Sequence, residues 1–454
     1  MPKNNSKTVL QNESLTSFDL GIQAQVNVAK PDRYRQWGEL ESNASRISRG
    51  AGLSLAAASF GSGNISISHD RFNRILDFDR ASGQIEVEAG IRLYSLHAFL
   101  TSKGYFLPIQ PGHGLISVGG CVAVDVHGKN QLRDGTFIEQ VLSLNLFHPM
   151  HGLIELSPKS NPDLFRLTCG GFGLTGHILS VKLQAQKLLN NEVVTRVHKF
   201  HDTESGLKFL KDSAADADFI HSWHDFSQFS PKPGTGMIFI SNFATPGKEF
   251  GVPAKSSAPT PHKLPRENRL PAAKLILNRF TLSGLNLVYR SINSMNSKGK
   301  VQNITEALFP IHRLQGYYFF LGSQGFHEYQ VLLPTHLASD FIERLRVQAI
   351  SLQIPITLAS GKLFGGRQDL LRFSGEGTCF AVNFIRGEKG DKLLRWLDIN
   401  LMKSGGLPNI IKDSRLPRNV VETCFPEIDK FRTRLREFDS RLLFQSELSK
   451  RLSL

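Results

Sequence analysis

The sequence predicts an α+β fold of two domains and a C-terminal segment, and three observations carry that reading. Strand-like and helix-like stretches are short and mixed, where a doubly wound parallel sheet would alternate them. Glycine clusters crowd the chain up to about Arg196, then stop as aromatic residues become frequent. From about Leu407 the chain turns to basic, helix-forming sequence. The expected boundaries are 1–190, 191–406 and 407–454, the middle domain being an antiparallel sheet flanked by helices.

The elements follow in order. The polar opening MPKNNSKTVLQNESLTSFDL reads as a frayed tail. Lys30–Leu40 reads as a short helix with Pro31 in its first turn. ASRISRGAGLS is a strand entering a glycine turn. RILDFD and QIEVE alternate like paired strands across ASG. Leu93, Leu96 and Leu100 recur at helical spacing and stop at Gly104. Val141–Phe147 and Leu153–Leu156 form a hairpin around PMHG, Pro162 opens a helix, and Ile178–Leu183 is a strand. Further on, Met237–Ser241 and Tyr329–Leu333 are strands, and Phe341–Ala349 is helical. Pro246–Pro271 is rich in Pro, Lys and Ser, supplies no core, and reads as a long flexible loop. The apolar run Leu275–Leu287 with Arg279 reads as a helix packed on the second domain, with a lid or a lipid-facing surface as the alternative.

Composition bounds the function. The 454 residues, 40% hydrophobic and 21% charged, are those of a globular protein with ample core. Scattered Cys121, Cys169, Cys379 and Cys424 form no metal cluster or disulfide framework. No apolar run reaches the roughly 20 residues of a membrane span, and the opening residues contain no apolar signal core. A cytoplasmic location follows, or a peripheral one at the inner face of the cytoplasmic membrane. The net charge of +14 favours anionic partners. No nucleic-acid-binding motif is present, so a phosphorylated substrate or an anionic membrane surface is the expected partner.

The stretch Pro108–Asn130 holds five glycines, with Asp125 and Lys129 its only charged side chains. It is neither a good helix nor an ordinary amphipathic strand, and reads as backbone laid against a large flat ligand. SRGAGLS at 48–54 and CGGFGLTGHI at 169–178 add two glycine turns beside strands. Such turns suit a pyrophosphate, yet neither is a phosphate loop nor a dinucleotide fingerprint opening a helix. A nucleotide cofactor bound outside those two architectures is expected.

These motifs resemble the vanillyl-alcohol-oxidase flavoprotein superfamily and, within it, the decaprenylphosphoryl-β-D-ribose oxidase family. GKVQNIT at 299–305, GFHEYQVLLP at 325–334, GKLFG at 361–365 and IKDSR at 411–415 fall in that family's order. FRTRLREFDSRLLFQSELSKRL resembles the tail of aldonolactone oxidases, which packs back on the FAD domain; an amphipathic membrane-surface helix is the alternative. The resemblance implies a two-subdomain, PCMH-type FAD-binding domain, a substrate cap, and FAD. It places the cofactor against Ser48, Arg49, Gly50, Ala51, Gly52, Leu53 and Ser54 in the first turn. The central stretch adds Gly112, Ser117, Val118, Gly119, Gly120, Val124, Asp125, Val126 and His127, and the third cluster adds Ile178. Several superfamily members bind flavin covalently through a histidine where this chain has Leu53, so non-covalent FAD is expected.

The same resemblance assigns Lys412 and His127 to catalysis, and Lys129, Gln330, Lys362 and Glu328 to the substrate. Several positions depart from the family. Leu55 and Leu321 stand where it has an aromatic and a tyrosine, Glu328 where it has glutamine, Ala381 where it has cysteine, and Asn409 where it has an aromatic. The implied reaction is oxidation of a secondary hydroxyl on a polyprenyl-phosphate-linked pentose for cell-envelope polysaccharide, with a short-chain NAD(P)H-dependent reductase completing an epimerisation. A free-sugar aldonolactone or alditol oxidase, and a catalytically silent flavin-binding partner, stand as alternatives.

Overall fold

A computed structural model describes residues 9–39, 43–227, 234–245, 277–295, 299–310 and 315–454. Strands β1 (Leu10–Thr16), β2 (Gln23–Ala29), β3 (Arg46–Arg49) and β4 (Ile65–Ser68) form the first sheet, ordered β1-β2-β4-β3. β1 and β2 are antiparallel, while β4 runs parallel to β2 and β3. β5 (Ile75–Asp79), β6 (Gln84–Glu88), β7 (Tyr105–Phe106), β8 (Val141–His148), β9 (Gly152–Leu156), β10 (His177–Gln184) and β11 (Gln186–Lys187) follow. β7 pairs with β11, and the others form an antiparallel sheet ordered β5-β6-β10-β8-β9. Helix Leu93–Ser102 packs on it through Leu93, Leu96 and Leu100, all fully buried.

The remaining strands are β12 (Glu192–Phe200), β13 (Phe219–His224), β14 (Gly236–Phe243), β15 (Lys300–Asn303), β16 (Phe326–Leu333), β17 (Ile356–Phe364), β18 (Gly377–Ile385) and β19 (Leu407–Pro408). They form one antiparallel sheet of eight, ordered β15-β12-β14-β13-β17-β18-β16-β19. Helices Thr203–Asp212, Thr335–Ser351 and Glu388–Ser404 bury Leu210, Phe341 and Leu397 in a core shared with that sheet. Helices Arg418–Cys424, Ile428–Phe438 and Glu447–Leu452 continue the same core as far as Ile47 on β3. Helix Ile428–Phe438 reaches the β8–β9 turn and helix Pro162–Thr168: the Phe438 carbonyl accepts from His151 Nε2 at 2.7 Å, and Arg434 pairs with Asp163 at 3.3 Å.

Four expectations are corrected. Leu10–Thr16 is an ordered edge strand, paired from Leu10↔Ala29 to Thr16↔Gln23. Its mostly polar sequence reflects exposure, with Leu15 buried near its end. The helix expected over Lys30–Leu40 shrinks to Gln36–Glu39, anchored by buried Trp37. Pro108–Asn130 contains a helix at Val118–Ala123, whose N-cap Ser117 accepts from Gly120 N. The run from Leu275 is described from Leu277, and helix Arg279–Ser294 extends seven residues beyond the expected end, with only Leu282 buried. The expected loop Pro246–Pro271 lies outside the described residues. Among those described, no helix is long and apolar enough to cross a membrane.

Candidate active site

A cavity of about 460 Å³ runs from the glycine turns of the N-terminal half to the eight-stranded sheet. Its size suits a cofactor with part of a substrate. At the glycine end, alternation along β3 decides which side chains face it. Ser48 and Gly50 line the cavity. Ser48 Oγ is held 2.7 Å from His177 Nδ1 and 3.2 Å from His69 Nε2. Arg49, between them, does not line the cavity; its Nη1 donates to Ser59 Oγ at 2.9 Å and its guanidinium lies over Phe60. Val118 is likewise displaced, being fully buried on the inner side of its helix.

Ala51, Gly52, Leu53, Ser54, Gly112, Ser117, Gly119, Gly120, Val124, Asp125, Val126, His127 and Ile178 all line the cavity. Close approach explains two glycines. A Cβ on Gly50 would sit 2.0 Å from Ser117 Oγ, and one on Gly119 would sit 2.8 Å from Ala89 Cβ. Gly50 thus packs directly on Ser117, the N-cap of helix Val118–Ala123, and Gly119 of that helix on Ala89 after β6, leaving a trough with little side chain in it. His69 lines this end, and its buried Nδ1 has no hydrogen-bond partner among the described residues. A backbone trough with a buried polar atom awaiting a partner fits FAD.

Asp125 has φ of 46° and a carboxylate that accepts from Thr136 Oγ1 at 2.7 Å and Ile138 N at 2.9 Å. Burial raises its pKa, and Arg372 at 3.9 Å opposes that. The carboxylate clamps the loop, so Asp125 offers the cavity no free acid.

The opposite end is built by period-two alternation across three strands. Glu328 and Gln330 on β16 register with Asn383 and Ala381 on β18, and Ala381 and Cys379 register with Ser360 and Lys362 on β17. All seven line the cavity. Pairing of β16 with β19 brings in the 3₁₀ turn Ile410–Lys412, so that Lys412 Nζ lies 3.0 Å from Glu328 Oε1. Gln330 is buried: its Oε1 accepts from Asn409 Nδ2 at 2.6 Å, and its Nε2 faces His127 Nε2 at 3.3 Å. The amide therefore donates to His127 Nε2, which leaves Nδ1 to donate to the Gly128 carbonyl at 3.3 Å. Burial, then the Lys362 and Lys412 charges, hold His127 well below its ordinary pKa and hence neutral. With both nitrogens engaged, and Phe364 4.7 Å away, His127 acts as a fixed wall.

Lys129 donates to the Ala307 carbonyl at 2.7 Å. Burial, with the Lys362 charge, brings its pKa down to about 7. Lys362 is lowered by burial too, with Cys379 and Glu328 opposing.

Several lining residues lay outside the sequence reading. Phe18 enters from the loop after β1 and packs 4.8 Å from Tyr318. Tyr317 and Tyr318, on helix Gln315–Phe320, line the cavity just before Leu321, which is fully buried behind it against the lining residues Leu55 and Phe18. Tyr317 and Tyr318 thus place aromatic rings beside the position where Leu321 departs from the family. His221, Trp223 and Tyr289 form another part of the wall. Adjacent tyrosines in QGYYFF were the one available signal.

The trough fits FAD, and the matches to known proteins make this an FAD-dependent oxidoreductase acting on CH–OH groups. Residues 41–157 match the FAD binding domain family. The chain is 29% identical to decaprenylphosphoryl-β-D-ribose oxidase of Mycolicibacterium smegmatis over 90% of this chain and 89% of that one. It is 26% identical to D-arabinono-1,4-lactone oxidase of Candida glabrata over 34% of this chain and 29% of the relative. It is 36% identical to the mitochondrial L-galactono-1,4-lactone dehydrogenase 2 of Oryza sativa over 30% and 23%. With these relatives, the enzyme is a flavin oxidoreductase of the sugar-oxidase kind.

Proposed function

We propose that this enzyme oxidises a secondary hydroxyl of a pentose carried on a polyprenyl phosphate, giving a keto sugar. The observation that carries the reading is the charge of the cavity wall. Lys129, Lys362 and Lys412 face it, while among the described residues Glu328 is the one lining carboxylate besides Asp125, which is turned to Thr136 and Ile138. A net positive, partly desolvated wall suits a phosphate better than a neutral lactone. The 29% relative supports the same substrate class.

Bound FAD, held by the trough at Ser48, Gly50–Ser54, Ser117, Gly119, Gly120 and Ile178, would supply the acceptor for the hydride leaving the carbinol carbon. The chain's own residues handle the proton and the charge. Glu328 takes the hydroxyl proton as a carboxylate. Lys412, 3.0 Å away, orients that carboxylate and polarises the substrate oxygen. Gln330, fixed by Asn409 and His127, positions the sugar. Lys129 and Lys362 hold the phosphate. The ketone would then pass to a short-chain NAD(P)H-dependent reductase, a hydride donor opposite in direction to this enzyme.

The test is anaerobic mixing of holoenzyme with a polyprenylphosphoryl pentose or with a free aldonolactone. Rapid bleaching by the lipid-linked sugar alone is expected. Bleaching by the lactone alone would move the enzyme to the free-sugar oxidases, and bleaching by neither would overturn the reading.

A further inference from the structure

Helix Arg279–Ser294 is amphipathic in the inverted sense. Its inner edge is held by polar contacts: Asn286 Nδ2 donates to Asp225 Oδ1 at 2.8 Å, and Arg290 reaches Asp225 Oδ2 at 3.4 Å. Tyr289 rests on Trp223 with ring centroids 5.1 Å apart, and only Leu282 is buried. Its outer side carries Phe280, Leu285, Leu287, Val288 and Ile292, each more than half exposed, and Met295 follows at 76%. At about 100° per residue these six positions fall within one arc of roughly 160°. Thr281, Gly284 and Ser291, the other residues in that arc, are small. No acidic residue occurs between Leu277 and Met295, and Arg279 and Arg290 fall on the side of the helix away from the arc, Arg290 toward Asp225.

We infer that this helix docks the enzyme on an anionic lipid bilayer, lying in the interface with its outer arc among the acyl chains. Three features choose the occupant. Six exposed apolar side chains gathered in one arc, rather than scattered singly over the surface, mark a contact face. An apolar arc without acids, on a chain of net charge +14, complements anionic headgroups. The same helix supplies Tyr289, and its neighbour Trp223, to the cavity wall. The docking face is thus continuous with the cavity, and a substrate with its prenyl tail in the bilayer could enter directly. That last point rests on the proposed lipid-linked substrate; the first two do not.

The experiment sediments holoenzyme with vesicles of phosphatidylcholine alone, or of phosphatidylcholine with phosphatidylglycerol. Wild type should bind the anionic vesicles, more weakly as salt rises. Leu287→Gln with Ile292→Gln should lower the partition coefficient about tenfold or more. Both side chains point to solvent, so flavin content should be unchanged. Failure of wild type to sediment with either vesicle overturns the inference, as does equal binding by the double variant. Light scattering that shows a dimer which the double variant converts to monomer overturns it in favour of a second copy on this face. The assay uses no sugar, so vesicle binding without oxidation of a bilayer-borne sugar lipid supports docking while refuting the substrate reading.

Discussion

Replacing Lys412 by methionine separates chemistry from stability. The ammonium lies 3.0 Å from Glu328 Oε1, with the two side chains 32% and 14% exposed. A pair this accessible contributes about 1 kcal/mol or less to folding, and methionine keeps most of the volume, so the fold and flavin content should survive. The rate should not. A preorganised charge at a reacting oxygen is typically worth about 10²–10³ in rate, or about 3–4 kcal/mol. Glu328→Gln, which keeps shape but cannot take a proton, should cost about 10²–10⁴. Because one residue orients the other, the double variant should lose little more than the worse single one. The measurement is anaerobic flavin reduction by substrate, followed in stopped flow for all four proteins. If Lys412→Met reduces flavin at nearly the wild-type rate, the residue is structural. If the two losses multiply, the residues act separately and the proposed pairing is wrong.

Three further predictions follow from the cavity. A Cβ on Gly120 meets nothing closer than Ser117 Oγ at 3.1 Å, whereas one on Gly119 meets Ala89 Cβ at 2.8 Å. Gly120→Val should therefore fold with normal circular dichroism yet lose FAD absorbance, while Gly119→Val should lose folded yield; full flavin in purified Gly120→Val would refute this. Leu53 offers no atom for a flavin link, so acid precipitation should leave all yellow colour in the supernatant, and colour in the pellet would contradict it. Lys129, brought down to about 7 by burial and Lys362, is charged below that pH and neutral above it. KM for a phosphate-bearing substrate should accordingly rise by up to about tenfold per pH unit above 7, and Lys129→Met should flatten that profile; the same slope in the variant would exclude Lys129 as the phosphate ligand.

Much of the fold was legible where periodicity is strong. Leu93, Leu96 and Leu100 mark a helix whatever surrounds them, and the β5–β6 and β8–β9 hairpins are local. Val118–Ala123 was misread because VGGCVA has poor intrinsic helix propensity; the Ser117 cap and the bond from Gly119 N to the Ala89 carbonyl outweigh it. Leu10–Thr16 was missed because an edge strand with a solvated face looks like polar coil. Lys412 and Glu328 could be named one by one, but their pairing depends on β19 meeting β16 across more than seventy residues of sequence. Arg49 was misplaced by one step of strand alternation, which motif matching does not track.

The first sheet carries a consequence for how the holoenzyme is made. Its edge strand β3 is extended by residues 443–447: Arg46 N donates to the Leu443 carbonyl at 2.8 Å, and Gln445 N to that of Arg46 at 3.0 Å. Glu447 N donates to the Phe60 carbonyl at 2.9 Å, and Arg46 and Phe444 form a parallel bridge. β3 leads directly into the Ser48–Ser54 turn. On the ribosome, the first flavin-facing turn is thus left with an open flank until residues 443–447 leave the exit tunnel. Cofactor capture should therefore come late in synthesis, and chains stalled anywhere before Leu443 should emerge colourless.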